Sequence, residues 1–145
     1  MIALLQRVSS AQVEIAGEIV GSIGPGLMVL IGVRPADDEK NAERLLGRVV
    51  QYRVFADGSG KMNLSLIQVK GALLLVPQFT LAADTAKGLR PGFSTAAPPE
   101  QGRRLFEFLV QSAHEQLGAV QTGVFGAHMQ VSSTNDGPVT IWLEN

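Results

Sequence analysis

The sequence predicts an α+β fold: one domain over residues 1–145, with an antiparallel or mixed sheet curled into a barrel-like core and two helices packed on it. Three observations predict it. Short apolar runs bounded by Gly, Pro and Asp recur along the chain, as buried strands do. Two longer segments repeat apolar residues at the 3.6-residue period of a helix with one buried face. No repeat, linker or low-complexity tract divides the chain, and 145 residues suffice for a single core.

Ile2 to Val8 is an apolar run and predicts a largely buried strand. Val13, Ile15, Ile19 and Ile23 bracket Ala16-Gly17, which predicts a hairpin. Gly24-Pro25-Gly26 is a turn into a second buried strand, Leu27–Val33. Asp37-Asp38-Glu39 starts a helix with acids at the positive end of its dipole. Ala42, Leu45, Leu46, Val49 and Val50 form its apolar stripe. A loop follows at Ala56–Gly60, then a short strand, Ala72–Val76, ending at Pro77. Residues 82–99 are rich in Gly, Pro, Ser, Thr and Ala and predict an irregular surface loop, a kind of segment that is often functional. Pro98-Pro99-Glu100 opens the second helix, with Leu105, Phe108, Leu109, Ala113 and Leu117 on one face. Met129–Ser133 and Val139–Leu143 are read as the last two strands, joined by a turn at Asp136-Gly137-Pro138.

Composition excludes several classes. Apolar residues make up 46% and charged residues 17%, the balance of a folded globular protein. Cysteine is absent, which removes disulfides, thiolate nucleophiles and Cys-based zinc sites. The apolar N-terminus is broken by Gln6 and Arg7, too soon for a signal-peptide core or a membrane span, so no membrane partner and a cytoplasmic location are expected. Net charge is −1, but it is unevenly spread. Residues 1–43 hold three basic against six acidic side chains, residues 44–104 nine against three, and residues 105–145 none against four. The positive block contains Lys87 and Arg90. It reads either as a solvated surface or as a small patch for the end of an RNA, where a few phosphate contacts suffice.

Side-chain equipment for activating water is sparse. The two histidines, His114 on the second helix and His128 near a late strand, sit in no HExxH, GxSxG or Walker pattern. A hydrolase built from this chain would have to rely on backbone dipoles and on its substrate. Pro77-Gln78-Phe79-Thr80-Leu81 suits that role, because it leaves a buried strand and can present the N–H groups of Phe79 and Thr80 to a developing oxyanion. The plainer alternative makes Phe79 core, Thr80 a local backbone partner and Gln78 an edge residue. Thr80 has no neighbouring base to make its hydroxyl a nucleophile, which leaves it a positioning role. Asp136-Gly137-Pro138 is, by itself, an ordinary turn signal. Arg7 interrupts an apolar strand. It either faces solvent or uses its fork of donors to hold backbone carbonyls of that turn.

Taken together, the Gln78–Leu81 box running on as Ala82-Ala83-Asp84-Thr85, the later Arg90-Pro91-Gly92-Phe93-Ser94, Lys61-Met62-Asn63-Leu64, and Asn135–Thr140 resemble the D-aminoacyl-tRNA deacylase family across essentially the whole chain. That family carries a Ser-Gln-Phe-Thr-Leu box and a Gly-Pro box. Here Pro77 stands in place of the serine. Any role of that hydroxyl is lost or taken by water, while the backbone donors of Phe79 and Thr80 remain, so activity is expected to survive.

The resemblance implies hydrolysis of the ester joining a D-amino acid, and glycine where mischarged, to tRNA. Gln78, Phe79 and Thr80 are its implied catalytic box, with Gly137, Pro138 and Arg7 at the amino acid and Lys87 and Arg90 on RNA. It implies a homodimer with sites at the interface, where a cis Gly-Pro from one subunit enters the pocket of the other. Both carbonyls of such a peptide can accept from the substrate ammonium, and Gly137, lacking a Cβ, lets the backbone approach closely. An L side chain would then be excluded by main chain, not sorted by a side-chain pocket. No metal or organic cofactor is implied. Two alternatives stay open: a related deacylase of different chirality preference, with that peptide trans, and a non-catalytic module that binds the tRNA end.

Overall fold

Alternating burial makes the first strand, β1 (Ile2–Ile15), the spine of the molecule, and the computed structural model describes all residues from 1 to 145. It turns through Ala16-Gly17, both at positive φ, into β2 (Glu18–Ile23). β3 (Gly26–Gly32) follows. Helix α1 (Glu39–Gln51) begins at Asp38, whose carboxylate accepts from the Asn41 amide while the Asn41 side chain accepts from the Asp38 amide. Then come the small hairpin β4 (Phe55–Ala56) and β5 (Met62–Leu64), a single turn α2 (Leu66–Val69), and β6 (Ala72–Pro77). A 3-10 turn at Phe79–Ala82 leads to the long segment before α3 (Pro99–Leu117). β7 (Gln121–Thr122) and β8 (Gln130–Glu144) end the chain.

β1 pairs with β8 along nearly its whole length. Its other edge is shared: residues 2–8 pair antiparallel with β3 and residues 11–15 with β2. β3 pairs parallel with β6, and β6 with β7. Sharing one edge between two partners bends the sheet, so that β2 curls back toward β7. The Ser22 amide reaches the Gln121 side chain at 3.4 Å. The gap is narrow: a Cβ on Gly21 would lie 2.8 Å from the Thr122 carbonyl oxygen. The result is a nearly closed barrel within the expected α+β fold.

The two faces of the sheet bury separate clusters. Ala3, Leu5, Leu27, Val29, Leu73 and Leu75 meet Leu45, Leu46 and Val49 of α1 and Leu105 and Leu109 of α3. Val8, Val13, Ile23, Met28, Leu74 and Val76 fill the inside of the curl. Of the α3 face read from sequence, Phe108 and Leu117 are only half-buried, while Phe106 takes a buried place. No helix is long and apolar enough to cross a membrane.

One expectation needs correction. Met129–Ser133 and Val139–Leu143 are not two strands joined by a turn, but parts of the single strand β8. Asp136-Gly137-Pro138 lies in a bulge of that strand: Gln6 pairs with Thr140 and Val8 with Asn135, so four residues of β8 oppose Arg7 alone. Turn residues signal equally a chain reversal and a bulge, and the partner strand decides. Residues 82–99 are the irregular, mostly exposed segment expected, tied once across their length. The amides and carbonyls of Asp84 and Gly92 pair reciprocally at 2.8 and 2.9 Å, closing the segment between them into a small clasp.

Candidate active site

Parallel pairing of β3 and β6 carries the chain to the place where the box residues stand. Pro77 pairs with Ile31 as the last residue of β6, and the next amide, Gln78, makes the final ladder bond to the Ile31 carbonyl at 2.7 Å. A proline is tolerated there because the strand is ending and its missing N–H interrupts nothing. The chain then tightens into the 3-10 turn. The Phe79 and Thr80 amides open that turn, where N–H groups have no acceptor one turn earlier, and no side chain caps them. Both residues are exposed, Phe79 to 52%. Phe79 is therefore not core, and its ring meets Phe93 edge-on at 5.0 Å. Gln78 Nε2 donates to the Thr80 hydroxyl, tying the two polar side chains of the box together. Chemically, this is a pair of unengaged, adjacent donors on a rigid strand end, suited to an anion that appears during reaction.

Clefts lie on both sides of the turn. One, of about 220 Å³, is lined by Pro77, Phe79, Pro99, Phe125 and Gly126, a flat apolar slot of the kind that accepts an aromatic base. Arg103 lies over the Phe125 ring, 5.2 Å from its centre. Phe125 has no part in the reading of the sequence, and Pro99 enters it only as the opening of the second helix. The Phe-Gly step at 125–126 was the available signal, and it was mute without knowing that α3 brings Pro99 beside it. The other cleft, about 740 Å³, is bounded by Leu81–Ala86, Ser94, Thr95 and Arg34–Ala36.

Lys87 and Arg90 stand exposed on the Asp84–Gly92 clasp, with no carboxylate paired to either. His114 uses Nδ1 at 2.8 Å from the Gly118 carbonyl at the end of α3, and His128 is exposed before β8. Neither lines the two clefts.

The Gly137-Pro138 peptide is cis and exposed at the bulge of β8. Arg7 holds the bulge from the facing strand. Its Nε donates to the Asp136 carbonyl at 3.1 Å and lies 3.3 Å from the Asp136 carboxylate, and its Nη1 donates to the Val54 carbonyl at 2.6 Å. The side chain is 15% exposed, so it does not simply face solvent. It grips the bulge one residue before Gly137. Asn135, which the sequence places in the Gly-Pro box without a role of its own, spans the bulge from within: its Oδ1 accepts from the Val139 amide at 3.1 Å and its Nδ2 donates to Thr140 Oγ1 at 2.8 Å.

Within one chain the two boxes are not brought together. Arg7 is four residues along β1 from Ala3, Ala3 pairs with Ile31, and Ile31 with Pro77. At about 3.3 Å per residue and 4.8 Å per strand, the bulge is roughly 20 Å from Phe79 over the sheet. A single chain holds the uncapped amides of Phe79 and Thr80 at one end and the exposed cis Gly137-Pro138 peptide at the other.

The family model described as D-Tyr-tRNA(Tyr) deacylase matches residues 4–144. Proteins called D-aminoacyl-tRNA deacylase are 60% identical in Nitrosococcus oceani, over 99% of this chain and 93% of that one, and 60% identical in Pseudomonas aeruginosa, over the whole of both. Among solved structures, one described as c-Myc DNA Unwinding Element Binding Protein superposes with a TM-score of 0.95 at 38% identity, covering 100% of this chain and 99% of the other. A second, described as a probable eukaryotic D-amino acid tRNA deacylase, has a TM-score of 0.87 at 17% identity over 98% and 97%, and speaks for the fold alone.

Proposed function

The chain belongs to the D-Tyr-tRNA(Tyr) deacylase family, and from that membership we propose how its own residues carry out the hydrolysis of D-aminoacyl-tRNA. The aminoacyl ester is already activated, so no strong nucleophile is needed. As water or a substrate hydroxyl adds to the ester carbonyl, negative charge grows on its oxygen, and the Phe79 and Thr80 amides receive it. Each such donor is worth about 3 kcal/mol of barrier in a dry site. The neighbouring 2′-hydroxyl of the ribose assists the attack. The terminal base enters the slot between Phe79 and Phe125, and Lys87 and Arg90 take phosphates of the acceptor end.

The substrate ammonium is held by the Gly137 and Pro138 carbonyls of a second copy of the chain. The separation of the two boxes within one subunit supports this: a homodimer supplies both to each of two interfacial sites. D-residues of many sizes, and glycine, pass because nothing on their Cα points at that edge, whereas an L side chain collides with it. The substrate is cytoplasmic, and we place the enzyme there.

The observation that carries this mechanism is the pair of uncapped amides at Phe79 and Thr80. Incubating the pure protein with D-Tyr-tRNA and L-Tyr-tRNA tests it. Loss of the D-ester with the L-ester spared is expected. Equal rates would remove the chirality mechanism, and no release from either would leave a tRNA-end binding module.

A further inference from the structure

The larger cleft, about 740 Å³, has no part in the chemistry proposed above. It starts at the end of the 3-10 turn, at Leu81 and Ala82, and opens at Arg34–Ala36, just before α1. Arg34 Nη1 donates to Glu144 Oε1 at 2.5 Å, and Arg48 Nη1 donates to the backbone carbonyl of the same residue at 2.7 Å. Glu144 thus joins Arg34, which lines the cleft, to Arg48 on α1. Arg44 and Lys40 precede Arg48 by one and two turns on the exposed side of α1, about 6 Å apart along its axis, and neither has a hydrogen-bond or ion-pair partner.

The acids nearby do not cancel this charge. Glu39 is engaged by Arg104, and Asp84 accepts from the Ala86 amide with one oxygen. Glu43 stands at the margin of the α1 face. Asp37 accepts from the Arg34 amide but is paired with the N-terminal ammonium, and Asp38 is spent capping α1. Glu144 is the acid bonded to these guanidiniums, its carboxyl held below the usual carboxylate range first by the Arg34 hydrogen bond and then by the Trp142 indole. The Arg34–Glu144 pair is 37% and 44% exposed. Such pairs add little to stability, so Arg34 can exchange a carboxylate for another anion at little loss.

We propose that Arg34, Lys40, Arg44 and Arg48 form a docking arc for the sugar–phosphate strand that precedes the acylated nucleotide, which leaves the 3-10 turn through the cleft. The inference rests on the tRNA substrate proposed above. Contacts of this kind are to phosphates and carry no sequence information, so they hold the acceptor strand whatever its bases. Thr85 and Ser94 line the same cleft.

The test uses the full-length protein and two substrates. Uncharged tRNA is titrated between 50 and 200 mM salt against wild type, Arg44→Gln and the double variant Arg34→Gln/Arg48→Gln. The logarithmic salt slope should fall by roughly 0.7 to 0.9 for each cation removed. KM for D-aminoacyl-tRNA should rise several-fold, while hydrolysis of the D-aminoacyl ester of adenosine alone stays unchanged. Glu144→Gln should act oppositely and tighten tRNA binding, which a purely structural ion pair would not do. Unaltered salt slopes, or an equal loss on the adenosine ester, would overturn the arc and leave the deacylase mechanism standing. If wild type hydrolyses neither ester, that mechanism fails instead. The salt titration then decides the arc alone, since wild type that does not bind tRNA also overturns it.

Discussion

Arg7 and Gly137 face each other across β1 and β8 so closely that a Cβ built on Gly137 would lie 3.0 Å from Arg7 Nη2. The same Cβ would be 2.8 Å from Val139 Cγ2, and Gly137 has φ +130°, where side chains other than glycine are strained.

Gly137→Ala is expected to reduce kcat/KM for D-aminoacyl-tRNA by about a hundredfold, as displacing a positioning group by 1 Å does. Helix and sheet content by circular dichroism should remain, because the bulge is exposed and outside both cores. Undiminished deacylation would mean that this edge does not touch substrate.

Arg7→Met keeps the length of the side chain but loses its bonds to the Asp136 and Val54 carbonyls. A hydrogen bond to a charged group contributes about 1.5–3 kcal/mol, and because the bond to Asp136 is exposed and adds little, a denaturant melt should show a loss of about 2 kcal/mol. Activity should fall with it, since the bulge loses its clamp. Full activity at reduced stability would confine Arg7 to folding.

Pro77→Ser is expected to leave turnover within about tenfold of wild type, a change of less than 1.4 kcal/mol in barrier. The 2.7 Å bond from the Gln78 amide and the uncapped Phe79 and Thr80 amides do not depend on the side chain at 77. A gain of several orders of magnitude would reveal a missing hydroxyl.

Replacing the ribose 2′-hydroxyl of the substrate by hydrogen should slow hydrolysis sharply in a single-turnover assay. Thr80 has only Gln78 beside its hydroxyl, which donates to it and takes no proton from it. An undiminished rate would make a protein group the nucleophile or its activator.

Asp57 caps the turn between β4 and β5, and the Ser59 hydroxyl, then the Ser59 and Lys61 amides, hold its carboxyl below the ordinary range. A lowered folded-state value gives stability that is present above the unfolded value, about pH 4, and disappears as pH falls through the folded one. The stability difference between wild type and Asp57→Asn should therefore be flat at neutral pH and shrink only below about pH 4. An NMR titration of Asp57 with its midpoint above that value would contradict the assignment.

Much of this was legible in the chain. The apolar periods placed α1, α3 and the buried strands, because burial on one face is a local pattern. The Asp38 cap and the Ala16-Gly17 turn were equally local. What escaped were relations fixed by pairing. Only the register of β1 against β8 turns Asp136–Val139 from a chain reversal into a bulge opposite Arg7. Only the packing of α3 puts Pro99 and Phe125 beside Phe79. Phe79 itself carries an apolar side chain that local pattern assigns to a core, yet it stands exposed because the 3-10 turn lifts it off the end of β6.

β8 pairs with β1 and leaves its outer edge without a strand in this chain, a fifteen-residue template that foreign chains could extend into fibres. The bulge breaks that template into two short, misaligned halves and places a proline, which cannot donate, at the break. Excising residues 136–138 to straighten the strand would accordingly cost solubility as well as activity, with the sequence's own safeguard against polymerisation removed.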